Sequence, residues 1–222
     1  MVTLGVVGLP FLFFVIFSSF THIATKTLVS DIVFSVLRVF IAYGIAVIVG
    51  WSLALLTYKG KIATVALPFF DLMQSIPTSA AIPLVVHYFG ASNTVVITFL
   101  VVAIIWPVLF TAISGLKMIK KDVEEAVQIS RLSGLNKLHY FLMPASLPSI
   151  VTGSIIGLGD AWEVLVATEI VVGIQTGLGS FFLGFANNTP LTIFAIVGVL
   201  ILIFSINKLI WLPLLEKSHK YS

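Results

Sequence analysis

The chain has 222 residues, 59% hydrophobic and only 9% charged, with a mean hydropathy of +1.16 and a formal net charge of +3. Soluble domains carry about 25% charged residues, so a water-soluble reading is all but excluded and an all-α polytopic membrane protein is expected. The absence of cysteine rules out disulfides and thiolate metal sites and leaves the redox compartment unreadable.

Val2–Phe20 is the first apolar run, without a basic leader or a small-residue cleavage site, so it reads as a span rather than a cleaved signal. Thr21–Ser30 reads as a polar connection with His22 and Lys26; Asp31 and Arg38 then lead into an apolar run to Thr57. Tyr58-Lys-Gly-Lys61 is a tight basic turn. Ile62–Phe89 is apolar but interrupted by Pro68, Pro77 and Pro83, with Asp71, Gln74, Ser75, Thr78 and Ser79 among the apolar residues. Gly90–Asn93 is a turn and Thr94–Ser114 a span enclosing Pro107. Ala145–Val172 is the fifth span, Gly173–Pro190 a Gly/Asn/Thr loop, Leu191–Leu215 the sixth span, and Glu216–Ser222 a polar tail. In domain terms, residues 1–29 form a first helix with its outer connection, 30–215 a transmembrane domain, and 216–222 a tail.

Between the fourth and fifth spans lies the longest polar interval, centred on residues 116–144. Seven charged residues fall between Lys117 and Arg131. Asp122–Ser133 reads as a helix with Asp122 at the N-cap and Glu124 and Glu125 in the first turn, where the helix dipole favours acids. Val123, Ala126 and Val127 share one face. Such a helix is too short to span and too polar to lie in lipid, so an exposed hook that docks a soluble partner is the simplest reading. Six spans place both termini on one side, together with Lys59, Lys61, the basic residues of the hook, Lys217 and Lys220. The positive-inside rule makes that side cytoplasmic.

These residues carry a resemblance. Glu125-Ala126-Val127, followed at the right spacing by Met143-Pro144, looks like the EAA loop of permease subunits of ABC importers. Pro144-Ala-Ser-Leu-Pro148 with Thr152-Gly153 is similar to the nitrate/sulfonate/taurine-type branch. Further matches to that branch are Ser35-Val-Leu-Arg38, Gly50, Ile76-Pro77, Ala81-Ile-Pro83-Leu84, Tyr88-Phe89-Gly90, Trp106-Pro107, Gly115-Leu116, Ala161-Trp162 and Ala167-Thr-Glu169. The chain departs from the motif where the family has Gly six residues after the Glu. Arg131 stands there, and the nearest glycine, Gly134, is expected to take the bend three residues on.

The resemblance implies a type I importer permease fold in the cell (inner or plasma) membrane, with the hook and both termini cytoplasmic. It further implies a coupling helix seated on a separate ABC ATPase present in two copies, a second permease as a homodimer partner or a close paralogue, and an extracytoplasmic solute-binding protein. Asp122, Glu124, Glu125, Ala126, Arg131, Gly134 and Pro144 are the implied coupling residues. Read alone, Glu124 and Glu125 are surface acids that compensate the helix dipole, with Lys120 and Lys121 anchoring the membrane edge; spacing and topology favour coupling. No cofactor is expected in this chain, because ATP and Mg belong to the partner: Gly60-Lys61 is followed by Ile62, and Leu55 stands where a phosphate-binding loop needs its first glycine. The four histidines are scattered without metal spacing, and nothing assembles Ser79, His87 and Asp160 into a triad, so no catalytic residue is expected. No nucleic-acid partner is indicated.

Polar groups inside spans are the pathway candidates. Asp160 and Glu163, three apart on one helix face, cost a few kcal/mol each in lipid unless they face water or a partner. They either line the route or pair with Arg38 and nearby hydroxyls as structural glue. Glu169 is expected near the outer end of its span, reaching the interface. Pro77, Thr78 and Ser79 mark a helix break that serves either the route or simple packing. Gly153 and Gly157 have the spacing for close helix approach, across a permease–permease seam or within the chain. The expected function is an ATP-driven import permease for a small solute, nitrate-, sulfonate- or taurine-like or a related organic solute; acids in the route argue against a strongly anionic one. An ATP-independent secondary transporter or channel is the alternative.

Overall fold

The computed structural model describes residues 2–21 and 25–218, with side chains over residues 8–21 and 26–217; His22 and Lys220 lie outside the described residues. No strand occurs among the described residues, as lipid requires of a chain that does not close a barrel, since an open sheet edge would leave amides and carbonyls unsatisfied. The order is α1 (Val2–Thr21), α2 (Thr25–Thr57), α3 (Gly60–Gln74), α4 (Thr78–Phe89), α5 (Asn93–Lys117), α6 (Lys121–Ile129), α7 (Gly134–Lys137), α8 (Met143–Val172), α9 (Leu178–Gly184), α10 (Thr189–Ile206) and α11 (Leu212–Ser218). Widened helical turns at Leu138–Leu142 and Asn207–Trp211 join α7 to α8 and α10 to α11.

Several boundaries differ from expectation. α2 begins at Thr25, so most of the expected polar connection is already helix. Of the prolines between residues 62 and 89, Pro68 and Pro83 sit inside helices and only Pro77 stands at a break. There Ser75 closes α3, its amide donating to Asp71 O and Leu72 O and its hydroxyl to Leu72 O. The expected loop after the fifth span contains α9. α2, α5 and the run Thr189–Lys217 are each long and apolar enough to cross a membrane, and α3 with α4 makes a fourth if counted as one broken span. Six spans are not counted on that measure among the described residues: of α1 only Gly8–Thr21 enters the count, and α8, which carries Asp160, Glu163 and Glu169, is not among the counted spans.

α2 shows the membrane pattern most plainly. Its buried face runs through Ser35, Arg38, Val39, Ala42, Ala46 and Ala54, mostly small, while Val33, Leu37, Ile41, Ile45 and Ile48 are exposed. Large apolar side chains outward and small ones inward is the reverse of a soluble helix and suits a lipid solvent.

The chain divides into two compact units. The first comprises Met1–Ala42, Thr78–Leu100 and Ala161–Pro213. Its core is aromatic: Phe17 stacks on Phe194 at 5.4 Å and meets Phe181 and Phe185 at 5.3 and 5.6 Å. Gly198 leaves room for Phe13, whose ring would lie 2.4 Å from a Cβ there. The second unit comprises Tyr43–Pro77, Val101–Asp160 and Leu214–Ser222. Small residues let α5 and α8 approach within it. A Cβ on Gly153 would fall 2.7 Å from Pro107 O and 2.8 Å from Val108 Cα, and one on Gly157 3.1 Å from Ile104 Cα. The Gly153/Gly157 pair therefore packs within the chain, and Gly159 faces open space. Trp51 Nε1 donates to Ser146 Oγ at 2.9 Å, and Tyr43 bonds Ser154 at 3.1 Å.

Gly153→Leu is expected to cost about 1–3 kcal/mol through overpacking against α5 backbone, read as a lowered melting temperature in detergent. Gly159→Ala should leave the melting temperature within a degree or two, since nothing lies within 4 Å of that Cβ.

Candidate functional site

The hook is built as a short amphipathic helix held at one edge. α6 spans Lys121–Ile129, with Lys120 at the N-cap making no side-chain cap bond. Asp122 is thus the second helical residue rather than the cap, and the first turn holds Asp122 and Glu124 but not Glu125. Both acids still meet the positive end of the helix dipole. Glu124 is ion-paired with Lys59 from the basic turn after α2. Glu124 and Val127 face the chain, whereas Val123, Glu125, Ala126 and Gln128 are exposed and Ile129 is 83% exposed. Of the shared face Val123, Ala126 and Val127, only Val127 turns toward the chain. The chain instead uses the Glu124/Val127 edge, because Lys59 supplies a charge partner there.

The connection from α6 to α7 uses both positions, Arg131 and the expected Gly134. α6 ends at Ile129 instead of running to Ser133, and Arg131 itself adopts φ 52°, the left-handed region, as the one non-glycine with positive φ among the described residues. Gly134 follows at φ 56° and opens α7. Two left-handed residues in four make the connection sharp, and the first lacks glycine's freedom. Pro144 is the second residue of α8 and exposed. It has no N–H to return to Tyr140, and the widened turn Leu138–Leu142 lies just before it. Beside the hook, Met118, Leu135 and Tyr140 are also exposed.

The largest departure from expectation is Glu169. It is not at an interface: it is 0% exposed and paired with Arg38, itself 5% exposed, at 2.5 Å. Both carboxylate oxygens and all three guanidinium nitrogens are used. Ser35 Oγ donates to Glu169 Oε1 at 2.8 Å, Gly179 N donates to Oε2 at 2.8 Å, and Arg38 Nη1 also donates to Thr176 O at 2.9 Å. Arg38 Nη2 reaches Thr176 Oγ1 at 3.0 Å and Nε reaches Asn93 Oδ1 at 2.9 Å. Leu178 N donates to Ser35 Oγ and Gly177 N to Asp31 Oδ1, both at 2.9 Å. Glycine is required at this knot. Gly177 has φ 123°, and a Cβ there would lie 2.6 Å from Arg38 Nη1; one on Gly179 would lie 2.4 Å from Glu169 Cβ.

Arg38 consequently does not pair with Asp160 or Glu163, and the glue reading of those two fails for that partner. Both are exposed on α8 and neither side chain has a hydrogen bond or ion pair among the described residues. In the second unit Asp160 lines a recess of about 430 Å³ with Asp71, Gln74, Phe110, Thr111 and Ile156. In the first unit Glu163 lines an apolar recess with Trp162, Ile170, Phe182, Thr192 and Leu200. Pro77 and Ser79 are exposed and Thr78 half-buried. Asp71 was legible as a charge in an apolar segment; its neighbourhood with Asp160 needed the tertiary contacts.

The described residues thus form a helical membrane chain with a buried ion pair and an exposed amphipathic hook. The chain belongs to the family of binding-protein-dependent transport system inner membrane components, which matches residues 46–218; this is the type I importer permease fold. It is 32% identical over 161 residues to the nitrate import permease protein NrtB of Synechocystis, covering 71% of this chain and 57% of the relative. It is 29% identical over 148 residues to the bicarbonate transport system permease protein CmpB of Synechococcus elongatus, covering 66% and 53%. It is 36% identical over 112 residues to the taurine transport system permease protein TauC of Escherichia coli, covering 50% and 40%. The chain spans about half the length of these curated relatives.

Arg38→Met, which leaves Glu169 buried without its counter-charge, is expected to destabilise by about 3–5 kcal/mol, and the Arg38→Met/Glu169→Met double variant to recover most of that loss. Thermal unfolding in one detergent compares the three. Arg131→Gly should stabilise the hook by about 1 kcal/mol by relieving the left-handed residue, seen as slower proteolysis between Lys121 and Lys137.

Proposed function

We propose that this chain is the translocating subunit of an ATP-driven importer and that α6 is its coupling helix. The observation carrying this reading is the exposed, chain-anchored hook. Glu124 holds it to Lys59, while Glu125, Ala126 and Ile129 present a mixed acid, small and apolar surface outward. A small residue permits close approach, an acid offers a hydrogen-bond acceptor or ion-pair partner, and an exposed isoleucine supplies apolar contact. The receiving groove belongs to an ABC ATPase that binds ATP and Mg, two copies of which would serve two permease copies in a homodimer. The hook and both termini are cytoplasmic, by the distribution of lysines, and an extracytoplasmic binding protein delivers the solute.

The solute is small and of the kind carried by this branch, nitrate-, sulfonate- or taurine-like or a related organic molecule. Support comes from family membership and from relatives named for nitrate, bicarbonate and taurine. Asp160, and with it the segment Pro77, Thr78 and Ser79, are placed along the route on the ground that unpaired acids and a helix break within a membrane segment need water or solute. Glu163 is assigned to the same route with the same argument.

Purification of the tagged chain from its own membranes in mild detergent should recover an ATPase. Glu125→Arg and Ile129→Asp should each reduce the recovered ATPase by about 30-fold, the effect of losing an interface hot spot worth ~2 kcal/mol, with the amount of permease maintained. A chain that purifies alone and moves solute into liposomes without ATP would instead be a secondary transporter or channel.

A further inference from the structure

The Lys59–Glu124 pair that anchors α6 forms part of the wall of a small, largely enclosed recess of about 140 Å³ in the second unit. Tyr58 and Lys59 line it from the turn after α2, Glu124 and Gln128 from α6, and Lys137 from the end of α7. Val127 and Phe141 make up its apolar side. Donors outnumber acceptors among these polar groups: two ammonium groups, a phenol hydroxyl and a carboxamide stand against a single carboxylate.

The charges round this recess do not cancel. Glu124 takes Lys59, whose ammonium also lies 5.3 Å from the centroid of the Tyr58 ring, so that lysine is held from two sides. Lys137 lines the same recess and is half-buried, yet its ammonium has no ion pair or hydrogen bond among the described residues. One positive charge is left over. An ammonium beside Val127 and Phe141 has given up part of its hydration, and a counter-charge is worth more to it there than in open water. Lys59 keeps two N–H groups beyond the one given to Glu124, and Tyr58 and Gln128 can donate as well.

The volume selects the counter-ion. At about 30 Å³ per water the recess holds the equivalent of about four or five waters, well below the roughly 300–1,000 Å³ of a pocket for a drug-sized ligand. A tetrahedral oxyanion is of that size and offers acceptors on every side. We propose that the recess is a binding site for one phosphate group, which bridges Lys137 of α7 to Lys59 of the turn after α2. The group belongs either to free inorganic phosphate or to the headgroup of an anionic lipid; the recognising chemistry is the same. Once bound, it ties α7 to the turn after α2 as Glu124 ties α6, so both short helices of the hook are held. That the recess opens to the cytoplasm rests on the permease reading above, whereas the anion site itself rests on the lining.

The test uses the full chain in maltoside detergent, washed until no lipid phosphorus remains, with hydrogen exchange over residues 118–142 read by mass spectrometry. Inorganic phosphate, added at constant ionic strength against chloride, should slow exchange in α7 with half-saturation on the order of 1 mM, the strength that two charge-assisted bonds support. Lys137→Gln should raise that concentration by about tenfold or more, since it removes one such bond. Lys137→Arg, which keeps the charge, should stay within about threefold of the wild type. Tyr58→Phe should raise it by about threefold, the effect of one neutral donor.

A second series adds phosphatidylglycerol to the micelles without free phosphate. Slowed exchange in that series identifies the lipid headgroup as the source, and slowed exchange with free phosphate alone identifies the ion; either result supports the site. Chloride acting as well as phosphate would overturn the proposal, as would an effect that survives Lys137→Gln unchanged. No effect from either source would overturn it too, and is the result expected if Lys137 only exchanges with Lys59 as the partner of Glu124. Should Lys137→Gln fail to purify, Tyr58→Phe decides, and an unshifted half-saturation there counts against the site. The ATPase takes no part in this measurement. A preparation that recovers no ATPase therefore defeats the permease reading alone, whereas unaltered exchange in a chain that does recover one defeats this inference alone.

Discussion

A charge placed among lipid-spanning helices must find its partner inside the protein, and the pairing of Arg38 with Glu169 is where this chain meets that requirement. Both groups are essentially sealed from solvent. An unpaired carboxylate or guanidinium there would cost several kcal/mol, so the fold has to bring the N-terminal part of α2 and the C-terminal part of α8 together before either helix end is stable. The remaining lone pairs and protons of the two groups then capture Ser35, Asn93, Thr176 and Gly179. The turn after α8 is shaped by this demand: Gly177 takes a backbone conformation open to few other residues, and Gly179 has no side chain to obstruct the carboxylate.

The second unit solves a different problem with different chemistry. Lipid gives helices no hydrophobic reason to associate, so contact depends on how closely backbones approach. Gly153 and Gly157 bring α8 against Pro107, Val108 and Ile104 of α5, and side-chain bonds such as Trp51 to Ser146 add direction. The hook grows from this unit. It is tied to it by Lys59 and otherwise left open to solvent, which is the disposition expected of a surface whose partner is another polypeptide.

The family match covers residues 46–218 and therefore includes the hook, α8 and α10. Arg38 lies before that range, yet it supplies the counter-charge to Glu169 within it. Ser35 and Arg38 thus complete a buried site whose acid lies within the matched range, which explains why they carry polar chemistry in an otherwise apolar helix.

Much was legible in the residues alone. Composition dictated helices in a membrane, because 9% charge cannot solvate a domain of this size, and the order of Glu125, Ala126, Met143 and Pro144 pointed to the importer family that the comparisons establish. The break at Pro77 and the turn at Gly90 were also written locally, in residues whose backbone preferences act over two or three positions. What the sequence could not decide were the matters set by contacts far apart in the chain. Glu169 was read as an interface acid because nothing within ten residues offers it a cation; its partner lies 131 positions away. Gly134 was legible as a left-handed residue of the bend, whereas Arg131, which shares that conformation, was not, because an isolated arginine disfavours it and only the tertiary path of the hook imposes it. The packed edge of α6 was not legible for the same reason: helical spacing marks which residues share a face, but the position of Lys59 determines which face turns inward.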